Sequence, residues 1–331
     1  MVRELRGKTI LVTGVTGFIG SHVAERLLRE GCAVRGLVRN LEKAKPLEAK
    51  GMQIVRGDMT DRASLINAVK NTEIIFHFAG ILADEYRSWS YYRKVNVDGT
   101  KILADAAIES GIELFIHTST AWVYGKDAVG IINEQSPKIF SGTRYCDTKL
   151  EAENIIRGLN KNLPVIIVQP TDVYGPGDET YTLGPLRMIK SGTMILPGKG
   201  KGLINAIYID DLVEGIILAA KTGKTGDEYL LGAKEQVTAA EFFGALAGTI
   251  GRPTAFPFIP TTLALFAASI AEIFSSVTGI QPIFTKEAVY AVLMRAEFDA
   301  GKAYSELGFK PKTDLKKGMA LVAEWIKSKN I

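Results

Sequence analysis

The stretch VTGVTGFIGSHVAERLL places Gly14, Gly17 and Gly20 between a β-branched run and the start of a helical pattern. Few backbones turn that sharply from strand to helix. Gly14 permits the tight turn, and Gly17 lets the main chain approach a pyrophosphate at the helix N-terminus. Gly20 allows the helix to pack closely on the strand. Three glycines alone say little; at the first strand-to-helix turn of an alternating chain they constrain the whole fold.

That alternation follows. TILVT (9–13), AVRGLV (33–38), MQIV (52–55), EIIFHFA (73–79), ELFIHTS (113–119) and PVIIVQ (164–169) read as strands. SHVAERLLRE, DRASLINAVK, VDGTKILADAAIES and KLEAENIIRGL lie between them with helical periodicity. Such a pattern makes a parallel sheet with helices on both faces, and near-continuous apolar strands fit burial on both sides. After Gln169 the chain turns to Gly- and Pro-rich loops, and IYIDDLVEGIILAA then reads as one more strand and helix of the first unit. The expected fold is α/β: a doubly wound Rossmann domain of residues 1–175 and 205–232. A smaller, mainly helical C-terminal substrate lobe takes 176–204 and 233–331. A ligand is expected in the cleft outside the carboxyl ends of the strands.

Forty basic against 36 acidic residues, with no run of five like charges, gives no footprint for nucleic acid. The two cysteines, Cys32 and Cys146, lack metal-ligand spacing, and the N-terminus lacks a signal-peptide core. A reduced, cytoplasmic protein is expected. One segment strains that picture. Ala255 to Ala271 carries no charge before Glu272, yet includes Pro257 and Pro260. It falls short of the roughly 20 residues of a spanning helix. A buried or pocket-lining helix is the first reading, and peripheral membrane contact through 255–274 the second.

RYCDTK sets Tyr145 and Lys149 four residues apart, on one helical face. A free phenol titrates near ~10 and is a reluctant base; a neighbouring ammonium stabilises its phenolate. With a hydroxyl to orient a substrate oxygen, such a pair can exchange a proton with an alcohol or ketone. Thr120 or Ser119, in HTSTAWVYG, can supply that hydroxyl. At the end of the second strand stand Val38 and Arg39, with no acid until Glu42. Arg39, with Lys43, suits a ribose 2′-phosphate, so NADP is preferred over NAD, which stays possible. His22, His77 and His117 share no metal spacing and are assigned no chemistry, and no metal is expected. Asp210 and Asp211 are read as structural at a helix start.

The glycine loop, GDMTD (57–61), FHFAG (76–80), NVDGT (96–100), TSTAWVYG (118–125), YCDTK and PTDVYGP (170–176) stand in the order found in one superfamily. As a set they resemble the extended short-chain dehydrogenases/reductases, along nearly the whole chain. The resemblance implies that Tyr145 is the acid/base and that Lys149 binds the nicotinamide ribose and lowers the tyrosine's pKa. It implies that Thr120, with Ser119 beside it, orients the substrate. Cofactor contacts are implied at Gly14, Thr16, Gly17, Phe18, Ile19 and Gly20, at Asp58 and Met59, and at Ala79, Gly80, Pro170 and Val173. Asn96 is read as structural. A homodimer built from helices around 88–110 and 143–161 is the implied assembly.

Sugar-nucleotide members of that family carry arginines that grip the diphosphate. Here Ile204 stands where one is usual, and Arg295 lacks the spacing of the other. The expected substrate is therefore a bulky, apolar secondary alcohol or ketone, as in the hydroxysteroid dehydrogenase-like and dihydroflavonol reductase-like members. The alternative is a nucleotide-sugar 4-epimerase or dehydratase with tightly bound NAD, in which Arg187, Lys199 or Lys201 meets the phosphates. A non-catalytic dinucleotide sensor has no need of Tyr145, Lys149 and Thr120 together.

Overall fold

Seven segments become strands of one sheet: Thr9–Thr13 (β1), Ala33–Val38 (β2), Gln53–Arg56 (β3), Ile74–His77 (β4), Leu114–Thr118 (β5), Val165–Pro170 (β6) and Glu228–Leu231 (β7). In the computed structural model, which describes residues 2–82, 87–278 and 284–331, all pairs are parallel. Their order is β7-β6-β5-β4-β1-β2-β3. Every residue of β4, β5 and β6 is buried, whereas the edge strand β3 alternates toward solvent. Helices Phe18–Arg29 (α1), Arg62–Val69 (α2), Gly99–Glu109 (α3), Arg144–Gly158 (α4) and Ile209–Thr222 (α5) flank the sheet. The strand order reverses between β1 and β4, which opens a crevice at their carboxyl ends.

The sequence places one strand differently from the fold. Ala206–Tyr208 pairs with Asp172–Tyr174 outside the main sheet, and β7 supplies the seventh strand instead. β7 has only four residues and begins on a charged one, Glu228, too little for an alternating pattern to show.

The C-terminal part adds Ala239–Gly248 (α6), Thr261–Thr278 (α7), Lys286–Ala291 (α8) and Leu315–Lys329 (α9). Phe242 and Leu246 of α6 and Val322 and Ile326 of α9 join the same apolar core as Val12 of β1 and Val168 of β6. Against α9 the Tyr174 ring lies so close that a Cβ on Gly318 would overlap its hydroxyl.

The uncharged stretch behaves otherwise than its first reading. α7 turns Ala264 and Ala268 inward, against Val289 of α8, and leaves Leu263, Phe266, Ile270 and Phe274 exposed. Small residues face the close neighbour and large ones face out, away from α8. Among the described residues no helix is long and apolar enough to cross a membrane.

Candidate active site

The turn after β1 is built for close approach. Gly14 has φ +67°, and a Cβ there would stand 2.7 Å from the Ala79 nitrogen. A Cβ on Gly20 would collide with the Gly14 carbonyl oxygen. α1 starts at Gly17 with no side-chain cap and no acidic residue in its first turn, while Arg26 and Arg29 sit at its far end. Its first N–H groups thus face the crevice without a carboxylate competing for them. This bare, positively polarised end fits the pyrophosphate of a dinucleotide.

The opposite lip, after β4, is fixed by a buried chain of hydrogen bonds. The Ala79 N–H donates to the Thr13 hydroxyl at 3.1 Å, and that hydroxyl meets His77 Nδ1 at 2.7 Å. His77 Nε2 meets the Thr100 hydroxyl at 2.8 Å, and Thr100 donates to the Asn96 carbonyl at 2.6 Å. Because Thr100 spends its proton on Asn96, His77 donates from Nε2 and accepts at Nδ1. Burial keeps this imidazole neutral by lowering its pKa to about 3. Asn96 then clasps the lip, accepting from the Ile81 N–H at 2.7 Å and donating to the Ile81 carbonyl and the Thr148 hydroxyl. The side chains of His77 and Asn96 are thus spent on holding this lip together.

α4 carries the Tyr145/Lys149 pair into the crevice. The Lys149 Nζ donates to the Thr118 carbonyl at the end of β5, at 2.6 Å. Burial lowers its pKa to about 8, against the opposing pull of Glu153. Burial also raises the Tyr145 phenol above its ordinary value, with Cys146 adding to the effect and the neighbouring Thr120 hydroxyl opposing it. Burial, and not the Lys149 ammonium, is thus the largest influence on this phenol. The Ser119 hydroxyl is buried and points toward the Glu153 carboxylate without reaching hydrogen-bond geometry. Burial pushes the Cys146 thiol up to about 12, which leaves it unreactive.

These groups share one cavity of about 640 Å³. Gly14, Thr16, Gly17, Phe18, Ile19 and Gly20 form one end, with Gly80, Pro170 and Val173 along the wall; Ser119, Thr120, Tyr145 and Lys149 lie in the same space. Arg39, Asp58, Met59 and Ala79 do not line it. Arg39 is exposed at the end of β2, and Met59 packs in the core beside α2. Asp58 accepts from the Thr60 N–H and hydroxyl, both at 2.8 Å, and Ala79 serves the lip through its backbone.

Other lining residues escaped the sequence reading. Trp122, Asp172 and Tyr181 meet in the cavity wall, where Asp172 Oδ1 accepts from Tyr181 at 2.6 Å and Trp122 at 3.3 Å. Its other oxygen accepts from the Asn205 N–H at 3.0 Å, and burial raises its pKa to about 6. Tyr290 of α8 closes one side, with the Lys126 ammonium 5.1 Å above its ring. The pairing of Asp172 with Tyr181 could be guessed from their nearness in sequence; Trp122 and Tyr290 carry no such signal. Asp211 is structural, accepting from the Lys312 and Thr313 N–H groups at 3.0 and 2.8 Å.

Comparison with known proteins agrees with this geometry. Residues 10–232 match the sequence profile of the NAD dependent epimerase/dehydratase family. A 3-beta-hydroxysteroid dehydrogenase of Mycolicibacterium neoaurum is 28% identical, over 94% of this chain and 89% of that one. A 4-hydroxy-2-methyl-3-oxo-4-farnesyl-3,4-dihydroquinoline-1-oxide ketoreductase of Stigmatella aurantiaca is 26% identical, over 93% of both. In fold, the chain superimposes on the dTDP-glucose 4,6-dehydratase DesIV of Streptomyces venezuelae with a TM-score of 0.80. That match spans 97% of this chain and 98% of the other at 24% identity. With the glycine turn, the switch-point crevice and the family match in agreement, the chain belongs to the NAD dependent epimerase/dehydratase family and is an NAD(P)-dependent oxidoreductase of the extended short-chain dehydrogenase/reductase type.

Proposed function

We propose that the protein interconverts a secondary alcohol and a ketone on a bulky, apolar substrate. The observation that carries this reading is the shared cavity: Tyr145, Thr120 and Lys149 line the same space as Trp122, Tyr181 and Tyr290. A nicotinamide dinucleotide bound along the glycine turn supplies or accepts the hydride. Thr120 orients the substrate oxygen, Tyr145 gives or takes its proton, and Lys149 holds the ribose. Burial favours the neutral phenol, which suits proton donation to a ketone being reduced.

The positions usual for diphosphate recognition support the apolar reading. Ile204 is buried, Arg295 is exposed on the surface strand Arg295–Phe298, and neither lines the cavity. Arg187 pairs with Glu179, and the Lys199 ammonium lies 5.6 Å over the Phe258 ring. The ketoreductase and hydroxysteroid dehydrogenase relatives act on molecules of the proposed kind, as their names state. Exposed Arg39, with no acid before Glu42, favours the 2′-phosphorylated cofactor.

Turnover assays with NADPH and a panel of apolar ketones, beside thermal shifts with UDP-glucose and UDP-galactose, test the reading. Ketone-dependent NADPH oxidation with no saturable sugar-nucleotide shift is expected. A large, saturable shift without ketone reduction overturns it in favour of the epimerase alternative.

A further inference from the structure

Along α4, Tyr145 and Lys149 are followed at the same four-residue interval by Glu153. All three lie on one helical face, each about 6 Å further along the axis than the last. Glu153 is fully buried, an expensive place for a carboxylate unless its oxygens are bonded. One oxygen accepts from Lys138 at 2.7 Å and Arg157 at 2.5 Å, and the other from Gln169 at 3.0 Å. Gln169 is itself oriented by the Tyr124 hydroxyl, which donates to its Oε1 at 2.8 Å. Lys138 and Arg157 also both pair with Glu228 on β7, so the carboxylate is anchored to the sheet edge as well as to its helix.

We propose that Glu153 is a positioning residue for Lys149: a fixed buried carboxylate, one turn behind the ammonium, that holds the lysine's charge at the floor of the cavity. The role rests on the function proposed above, in which charged Lys149 grips the cofactor ribose.

Three other carboxylates of the cavity are engaged elsewhere: Asp172 by Tyr181, Trp122 and Asn205, Asp178 by the Thr180 and Tyr181 N–H groups, and Glu179 by Arg187. From β4 and β5, His77 and His117 approach Lys149, and burial keeps both neutral. On α4 itself the Tyr145 phenol is uncharged and Arg157 is turned to Glu153. Beyond them, Tyr124 is a neutral phenol and Glu228 is engaged by Lys138 and Arg157. Asp147 accepts from the Ser141 and Gly142 N–H groups, Lys94 and Asp98 are exposed, and at the surface Arg93 pairs with Glu151 and Lys101 with Asp105. Burial pushes the Glu153 carboxyl up, but Lys138 and Gln169 bring it below its ordinary value, so it stays ionised. It also raises the Lys149 pKa against desolvation.

The test follows Lys149 itself in the full-length chain, by NMR of 13Cε-labelled lysine, with the resonance assigned by its loss in Lys149→Met. In Glu153→Gln the Lys149 titration is expected to move down by about one unit, tenfold in the proton equilibrium. Glu153→Asp, which keeps the charge, is expected to restore most of it. Lys138→Met removes a competing cation while Arg157 keeps Glu153 ionised, so Lys149 is expected to move up. That opposite sign decides the matter even where Glu153→Gln does not fold. NADPH affinity in Glu153→Gln, read by its fluorescence, is expected to fall several-fold at pH 8.5 and to stay within twofold of wild type at pH 6. A folded Glu153→Gln with unchanged Lys149 titration, or a Lys138→Met in which it moves down or not at all, overturns the proposal. If Lys149 shifts as expected but the wild type binds neither NADPH nor NADH, the functional reading fails and the electrostatic link stands.

Discussion

The Lys149 ammonium and the Thr118 carbonyl oxygen lie 2.6 Å apart, joining the end of β5 to the second turn of α4. This bond fixes where the Tyr145 face of the helix meets the glycine turn, and it is made by a charge with almost no access to water. Its pKa of about 8 lies below the ordinary lysine value of 10.5. Below pH 8 the fold bears the cost of burying the ammonium. That cost disappears as pH rises from about 8 to 10.5, where the folded protein has released the proton and the unfolded chain has not. Relative to Lys149→Met, the wild type should therefore gain about 3 kcal/mol of stability across that window. Denaturant midpoints from pH 7 to 10.5 measure it; a constant gap contradicts it.

Removing only the phenol oxygen, in Tyr145→Phe, should lower turnover by about a thousandfold, within the range for a lost acid/base group. Tyr145 is proposed to touch the substrate and not the adenine half of the cofactor, so NADPH affinity should stay within a few-fold. Steady-state rates with a ketone the wild type accepts, and NADPH fluorescence titration, separate the two effects. Retained turnover removes Tyr145 from the mechanism.

Arg39→Ala should weaken NADPH about tenfold or more, the value of one charge-assisted contact, and leave NADH nearly unchanged. The ratio of the two dissociation constants is the readout, and a ratio unmoved by the substitution withdraws Arg39 from cofactor selection.

Gly318→Ala should destabilise the protein by about 1–3 kcal/mol, because the added methyl overlaps the Tyr174 hydroxyl inside the core. The site lies away from the cavity, so NADPH affinity should be preserved. Chemical denaturation beside a binding titration checks both halves, and an unchanged midpoint would falsify the close packing of Tyr174 on α9.

How much of this was legible beforehand depended on the range of the interaction. The glycine turn, the first six strands and the Tyr145/Lys149 spacing are local patterns, and each stands where the sequence puts it. Trp122 and Asp172 are 50 residues apart and meet only once β5 and β6 are paired. Tyr290 reaches the cavity from α8, far along the chain from Tyr145. The orientation of α7 was hidden for a different reason: with apolar residues on every side its periodicity names no inner face, and only the close approach of α8 selects Ala264 and Ala268. Glu153 could be seen on the same face as Lys149, but its burial depends on Lys138 and Glu228 arriving from outside the helix.

One apolar interior joins β1 and β6 to α6 and α9. Such a shared core should make the chain melt as one cooperative unit, and a single calorimetric transition is the expected result. A dinucleotide seated at Gly17 would slow amide exchange at Val322 and Ile326, although it never comes near them.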